Sequence, residues 1–428
     1  MIRSSAKFAL QRGYVQFFFS NIAQQGIAFL TVLAIAKILP EAEFAHVRIA
    51  QAYLAVLLIV GAAGVTAPIL RYSADQGLGP LEKQRLFGHG LKIAMTASML
   101  LMIATFAAIA LRFPSASTER MVFLGYAAQL PALVALSISL VYLQGLQQFK
   151  QLALSQFALK LIALLGLVGG AYFFGLPGLV GAALAVAVFS ALAMLMVAPP
   201  ALARTRPSFL PTDFNSLARY SVIGMLLSAL GQSSDLILLD ALSVDKNAIG
   251  SYSLATVFLV AASALVGTAQ SVATPAFTAL MQNPALFRRR LRIWSFGMFA
   301  AGIVAAGGLL AAAWILKLWF FGARYAEFPA LLSLLMIKFT LWSTYAIGGA
   351  ALVGIGAIKK GSYIAAITTV LAFAASYPLI KAFGVWGAAS AQVVVAVATF
   401  FLVWWVIRSE LQLLESRHTP TPNQGAVE

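Results

Sequence analysis

The chain has 428 residues, 61% of them hydrophobic and only 10% charged. Soluble domains carry about 25% charged residues, so the composition excludes a soluble fold and defines an all-α, polytopic membrane protein with no separate soluble module. The net charge is +16, which in a membrane chain holds loops against lipid headgroups and orients the spans rather than binding nucleic acid. The absence of cysteine excludes a disulfide frame, thiolate-held zinc, iron–sulfur clusters and thiol catalysis.

The N-terminal segment passes from MIRSSAKFALQRGY into apolar sequence that continues to Leu39. That run is too long for a cleavable signal and lacks a small-residue cleavage site, so it reads as a retained first span. Runs of about 20 apolar residues, the length needed to cross a bilayer, follow at 46–70, 91–111, 121–145, 152–174, 178–199, 217–241, 250–275, 293–316, 328–356, 362–383 and 386–407. Twelve spans are therefore predicted. The longest loops are 71–90, 200–216 and 276–292, and the last holds the run RRRLR, an expected headgroup anchor. With the N-terminus inside, 19 of the 29 lysines and arginines fall on the cytoplasmic side, among them Arg3, Lys7, Arg12, Arg71, Arg204, Arg206 and Arg288. Eight fall outside, including Arg48, Arg112, Lys246 and Lys381, which places both termini in the cytoplasm. Residues 408–428 form a polar tail expected to be disordered.

The two halves resemble each other. FAHVRIAQAYL from Phe44 matches IGSYSLATVFL from Ile249, and LQGLQQFK, with Gly145, matches LVGIGAIKK, with Gly354. FGLPGLVGAA matches FGVWGAA, which pairs Gly181 with Gly387. The offsets, 205, 209 and 206, predict duplication of a six-helix unit. An even helix number gives parallel repeats related by an axis along the membrane normal, a design that places substrate between the halves of a transporter. The expected division is an N-terminal bundle 1–200, a linker 201–216 and a C-terminal bundle 217–407.

Ionisable groups inside spans are costly and mark function by default. Lys160, Lys338 and Asp235 are the innermost, and Arg48 lies nearer the outer surface. Helical spacing groups Gln156 with Lys160, Ser228 and Gln232 with Asp235, Arg48 with Gln51, and Asn21 with Gln24. These stripes face either another helix, as interhelical hydrogen bonds, or a wet cavity. Asp240 and Lys37 sit near helix ends and are assigned to headgroup contact. Arg48, Lys160 and Lys338 against Asp235 make a cationic set, suited to the oxygens of a phosphate or pyrophosphate. Gln24, Gln51 and Gln232 are the neutral polar side chains assigned to the same substrate site. No GxxxxGK[ST] loop, HExxH motif or metal-ligating cluster occurs, so neither a cofactor nor a metal is expected.

SSDLILLDALSVDKNAIGSYSLATVFLV, with Asp235, Ile249, Gly250, Tyr252 and Ala255, resembles the pattern of polysaccharide flippases in the multidrug/oligosaccharidyl-lipid/polysaccharide exporter superfamily. In the first half, LAIAKILPEAEFAHVRIAQAYL is similar to the family's opening helix pair, with Ala45 and Val47 where the family's Gly and Tyr are expected. LQGLQQFKQLALSQF resembles its fourth-to-fifth helix turn. The resemblance implies a non-enzymatic flippase of the bacterial inner membrane that moves an undecaprenyl-pyrophosphate-linked oligosaccharide for O-antigen, capsule or exopolysaccharide synthesis. Its implied partners are that lipid-linked substrate, the bilayer, and the polysaccharide polymerase and chain-length machinery. Two alternatives stand beside it. A multidrug or other small-molecule exporter of the same superfamily would carry more cavity carboxylates, and a membrane polysaccharide polymerase would carry a large outer loop.

Overall fold

The computed structural model describes residues 14–75, 77–201, 211, 213–278, 280 and 283–418. Arg3, Lys7 and Arg12, the linker residues Arg204 and Arg206, and the tail beyond His418 lie outside the described residues. Those described are helical and contain no strand. In chain order the helices are α1 (Tyr14–Ile38), α2 (Glu41–Gly61), the short α3 (Thr66–Ser73), α4 (Pro80–Arg112), α5 (Thr118–Ala128) and α6 (Leu130–Gly145). They continue with α7 (Phe149–Val197), α8 (Phe214–Ala241), α9 (Lys246–Thr278), α10 (Pro284–Leu316), α11 (Phe328–Gly354) and α12 (Ile358–His418). A π-helical turn, Lys317–Phe321, extends α10.

At 49 and 61 residues, α7 and α12 would run about 74 and 92 Å if straight, far beyond a hydrocarbon core about 30 Å thick. Each instead breaks at a glycine with positive φ, 63° at Gly175 and 55° at Gly384, a conformation that glycine adopts without a Cβ clash. Each is thus two passes. α5 and α6 form a single apolar stretch, Thr118–Gly145, with Pro131 opening the second helix. Among the described residues the helices make twelve passes, as the apolar runs predict.

Helix starts follow local chemistry. Ser117 accepts from the Arg120 amide at 3.2 Å at the start of α5, and Asn283 accepts from the Leu286 amide at 3.1 Å at the start of α10. Both satisfy amides that have no intrahelical partner. α12 runs to His418, past the expected end at 407. Glu410 accepts from Lys360 and Leu411 is buried, and these contacts hold the turns where disorder was expected.

The duplication is visible in backbone detail at a constant offset of 209. After α6, Leu146 N donates to Tyr142 O and Gln148 N to Leu143 O, at 3.0 and 3.1 Å. After α11, Ile355 N donates to Ala351 O and Ala357 N to Leu352 O, at 3.0 and 2.9 Å. Gln147 and Gly356 both take positive φ in these turns. A Cβ on Gly145 would lie 2.6 Å from Ser73 Cβ, and one on Gly354 would lie 2.8 Å from Phe277 Cβ. In the last hairpin of each half, a Cβ on Gly178 would meet Gly170 O at 2.2 Å, and one on Gly387 would meet Leu379 O at 1.9 Å. This corrects the predicted pairing. The counterpart of Gly387 is Gly178, because close helix approach demands glycine there, whereas a Cβ on Gly181 meets nothing within 4 Å.

The chain divides into two compact units, Met1–Ser253 and Leu254–Glu428. In the first, α1 packs on α7 and α2 packs on α8. Its core includes Phe44 and a stacked Phe87–Tyr142 pair with ring centroids 4.4 Å apart. Ala45 and Val47, the two departures from the family motif, are buried in it. In the second unit α10, α11 and α12 pack in sequence around Phe277, Phe287, Ile347 and Val403.

Candidate functional site

One buried polar chain links α2, α5, α8 and α9 within the first unit. Arg48 donates through Nη1 to Gln51 Oε1 at 2.9 Å, one turn along α2. Gln51 in turn donates through Nε2 to Tyr126 Oη at 3.4 Å. Asp235 is 5% exposed and interacts electrostatically with Arg48. It accepts from the hydroxyl of the fully buried Tyr252 and from the Leu236 amide at 2.8 Å. The motif residues Asp235 and Tyr252 are therefore bonded partners on adjacent helices. Arg48 Nε is buried without a hydrogen-bond partner among the described residues. A guanidinium offers five donors, so this one retains capacity for an anionic oxygen.

Lys160 is exposed on the first half of α7 and takes part in no hydrogen bond or ion pair with the described residues. It lies 11 residues from Phe149 and 14 from Phe174, about 17 and 21 Å along the helix, hence near mid-depth. The exposed apolar stripe of this helix runs through Leu154, Leu161 and Leu165. At 100° per residue, Lys160 stands about 100–140° around the helix from each of them. Gln156 shares its face.

The remaining predicted residues divide. Gln232 is exposed and donates to Ser228 Oγ at 3.1 Å, whereas Asp235 of the same expected stripe is buried and bonded to Tyr252. Gln24 is 7% exposed and so is packed within α1's contacts. Lys338, in the second unit, donates to Gln392 on α12. Within the first unit the structure thus brings together Arg48, Gln51 and Asp235, with Gln232 paired to Ser228 and Lys160 on α7, and Lys338 belongs to the second unit.

Two clusters escaped the sequence reading. Asp240, expected at the headgroups, is 7% exposed. It accepts from Lys246 Nζ at 2.7 Å, Tyr53 Oη at 3.2 Å and Arg112 Nη2 at 3.4 Å. Glu119 lies 4.0 Å from Lys246 and 3.7 Å from His46. At the other end of α8, Asp213 occupies the N-cap position but makes no side-chain cap bond. Its carboxylate accepts instead from Tyr72 Oη and from Arg71 Nη1, the latter at 3.2 Å. The Tyr72 bond, assisted by Arg71, holds the Asp213 carboxyl below the usual carboxylate range. Burial, and then the same bond, pushes the Tyr72 phenol up. The charged residues read as lying outside, Arg112 and Lys246, share one cluster, and Arg71, read as cytoplasmic, sits in the other. No group of three or more His, Cys, Asp or Glu side chains placed to hold a metal occurs among the described residues.

Solved structures share this fold. The chain matches an inward-facing multidrug resistance MATE family transporter of the MOP superfamily at 13% identity and a TM-score of 0.71, over 92% of this chain and 96% of that one. It matches the lipid II flippase MurJ in an inward closed conformation at 13% identity and a TM-score of 0.75, over 94% and 90%. A MOP superfamily transporter from Pyrococcus furiosus, described as having a binding pocket of reversed polarity, matches at 17% identity and a TM-score of 0.63, over 94% and 96%. The fold is that of the MOP superfamily. Residues 10–281 match the family described as polysaccharide biosynthesis protein, and the chain belongs to that family. No curated protein matches it in sequence.

Proposed function

We propose that this chain is a flippase that moves an undecaprenyl-pyrophosphate-linked oligosaccharide across the bacterial inner membrane, for O-antigen, capsule or exopolysaccharide synthesis. The observation that carries the reading is Lys160. A cation at mid-depth, turned away from the lipid stripe of its helix and unbonded within the described residues, has to be met by water or by an anion. Family membership makes polysaccharide synthesis the setting in which that anion is sought. Arg48, held by Gln51, and Lys338, held by Gln392, add positive charge on other helices. A pyrophosphate carries oxygens in a geometry that a guanidinium or ammonium recognises. Gln24, Gln51 and Gln232 supply amides for sugar hydroxyls.

The two bundles, 1–200 and 217–407, would open alternately to the two faces of the membrane, with both termini in the cytoplasm. The sugars need an aqueous route, because each unpaired polar group costs several kcal/mol in hydrocarbon, whereas the prenyl tail stays in lipid. No bond is made or broken, so the activity is transport. The polysaccharide polymerase and chain-length machinery would receive the product on the outer face.

The test is direct. Proteoliposomes holding the protein receive a polyprenyl-pyrophosphate oligosaccharide with a fluorescent sugar, and an impermeant glycosidase reads which leaflet it occupies. Transfer well above that of empty vesicles is expected, with loss on K160A. If lipophilic cations cross and the glycolipid does not, the small-molecule exporter reading replaces this one.

A further inference from the structure

α8 is fastened at both of its ends to helices of the first half of the chain. At one end Asp240 collects Tyr53 from α2, Arg112 from α4 and Lys246 from the start of α9. Beside it Gly250 presses on α2 so closely that a Cβ would lie 2.6 Å from Glu41 O. At the other end Asp213 collects Arg71 and Tyr72 from α3. There Gly64, at φ 67°, lies so close to α8 that a Cβ would be 2.1 Å from Ala218 O. α8 opens the second repeat, so a rocking transporter has to part these contacts one end at a time. This step rests on the flippase reading only in taking α8 to move with the second repeat.

We propose that the two fastenings are latches of unequal strength: the Asp240 cluster seals the outer end, and the Asp213 pair seals the cytoplasmic end and releases first. The inequality follows from burial. The Asp240 side chain is 6% exposed, and separation takes Tyr53 and Arg112 from it while Lys246, on α9, stays, so a buried carboxylate loses two of its three side-chain donors. The Asp213 and Arg71 side chains are 45% and 60% exposed, so water and salt replace their bond at little cost. Glu119 strengthens the outer latch by holding Lys246 and His46 from α5. The closed state is thereby biased to open inward, the direction from which a substrate assembled in the cytoplasm arrives.

The absence of native cysteine makes single reporters unambiguous. Leu236 and Ala218 are each 7% exposed. They are 18 residues, or five full turns, apart and so share one face of α8. L236C reports the outer end and A218C the inner end, each read as its labelling rate by an impermeant maleimide in vesicles of known sidedness. D240N should raise outer labelling of L236C about ten-fold, the factor expected for the loss of one charge-assisted hydrogen bond. R112Q, which removes one donor and leaves two, should raise it less and serves if D240N fails to insert. Raising salt from 0.05 to 0.5 M should speed labelling of A218C from inside and leave L236C unchanged. Unchanged L236C labelling in both variants would overturn the outer latch, and salt acceleration at L236C instead of A218C would overturn the ranking. Neither readout involves glycan transport, so failure of the latch and failure of the flippase assignment are separable.

Discussion

Replacement of Lys160 by leucine separates a structural lysine from a transport lysine. Were its ammonium a packing element, K160L would forfeit a hydrogen bond to a charged group and lose about 1.5–3 kcal/mol. Were it in lipid, removing a charge from the bilayer centre would gain about 2.5–3.5 kcal/mol. Its position away from the Leu154–Leu161–Leu165 stripe, without a partner among the described residues, gives neither. Stability should therefore change by less than about 1 kcal/mol, since a hydrated lysine contributes little to the folded state. Transport should fall roughly ten- to hundred-fold, the equivalent of one lost contact of about 1.5–3 kcal/mol to phosphate. K160R, which keeps the charge and changes its shape, should fall between. The assays are thermal unfolding in detergent and glycolipid transfer in proteoliposomes, at matched insertion. A stability loss of 2 kcal/mol or more, or wild-type transfer by K160L, would refute the argument.

Three further outcomes follow from the geometry. Y252F removes a donor from the buried Asp235 and should cost about 1.5–3 kcal/mol, so a loss under 0.5 kcal/mol in thermal unfolding would contradict that bond. G145A and G354A should each destabilise by about 1–3 kcal/mol through overpacking, whereas G181A, with open space for its Cβ, should be neutral or slightly stabilising. The Asp213–Tyr72 latch should have a pH window. Asp213 is lowered, so its contribution is present above the ordinary carboxylate value of about 4 and is lost as pH falls through the lowered value. Tyr72 is raised, so its contribution is present below the ordinary phenol value of about 10 and is lost as pH rises through the raised value. A spin label at 218, quenched by a nickel chelate on the cytoplasmic side, should show a plateau between these limits, and a steady slope across neutral pH would exclude the assignment.

The passes were legible because a bilayer demands about 20 apolar residues per helix and tolerates few charges. The repeat was legible because glycine is required where helices nearly touch, as at Gly145 and Gly354. Its register in the last hairpin was legible too, since FGLPG and FGVWG align Gly178 with Gly387 at the offset of 209, but matching the following GAA segments selected Gly181 instead. Asp235 was legible as a charge in a span, and its partner Tyr252 stood 17 residues on in the same motif. The role of Asp240 was hidden. It sits in the last turn of its helix, where a carboxylate ordinarily meets headgroups, and two of its donors are 187 and 128 residues distant. Tyr126 is one aromatic in an apolar run, and only its distance to Gln51 marks it. Lys160 and Lys338 looked alike in sequence, but Gln392, 54 residues from Lys338, makes them different in kind.

The glycine breaks at 175 and 384 have a mechanical meaning for a bilayer. Around the first, Tyr172, Phe173 and Phe174 are 71%, 74% and 74% exposed, and around the second Tyr377, Phe383 and Trp386 are exposed as well. Aromatic rings of this kind settle at the boundary between headgroups and hydrocarbon. Each hairpin tip thus acts as a float at a fixed waterline. A piston-like stroke of these helices would drag the rings out of that boundary, whereas a tilt about the tip leaves them in it. Under the proposed rocking mechanism the membrane itself would be the bearing on which each half swings.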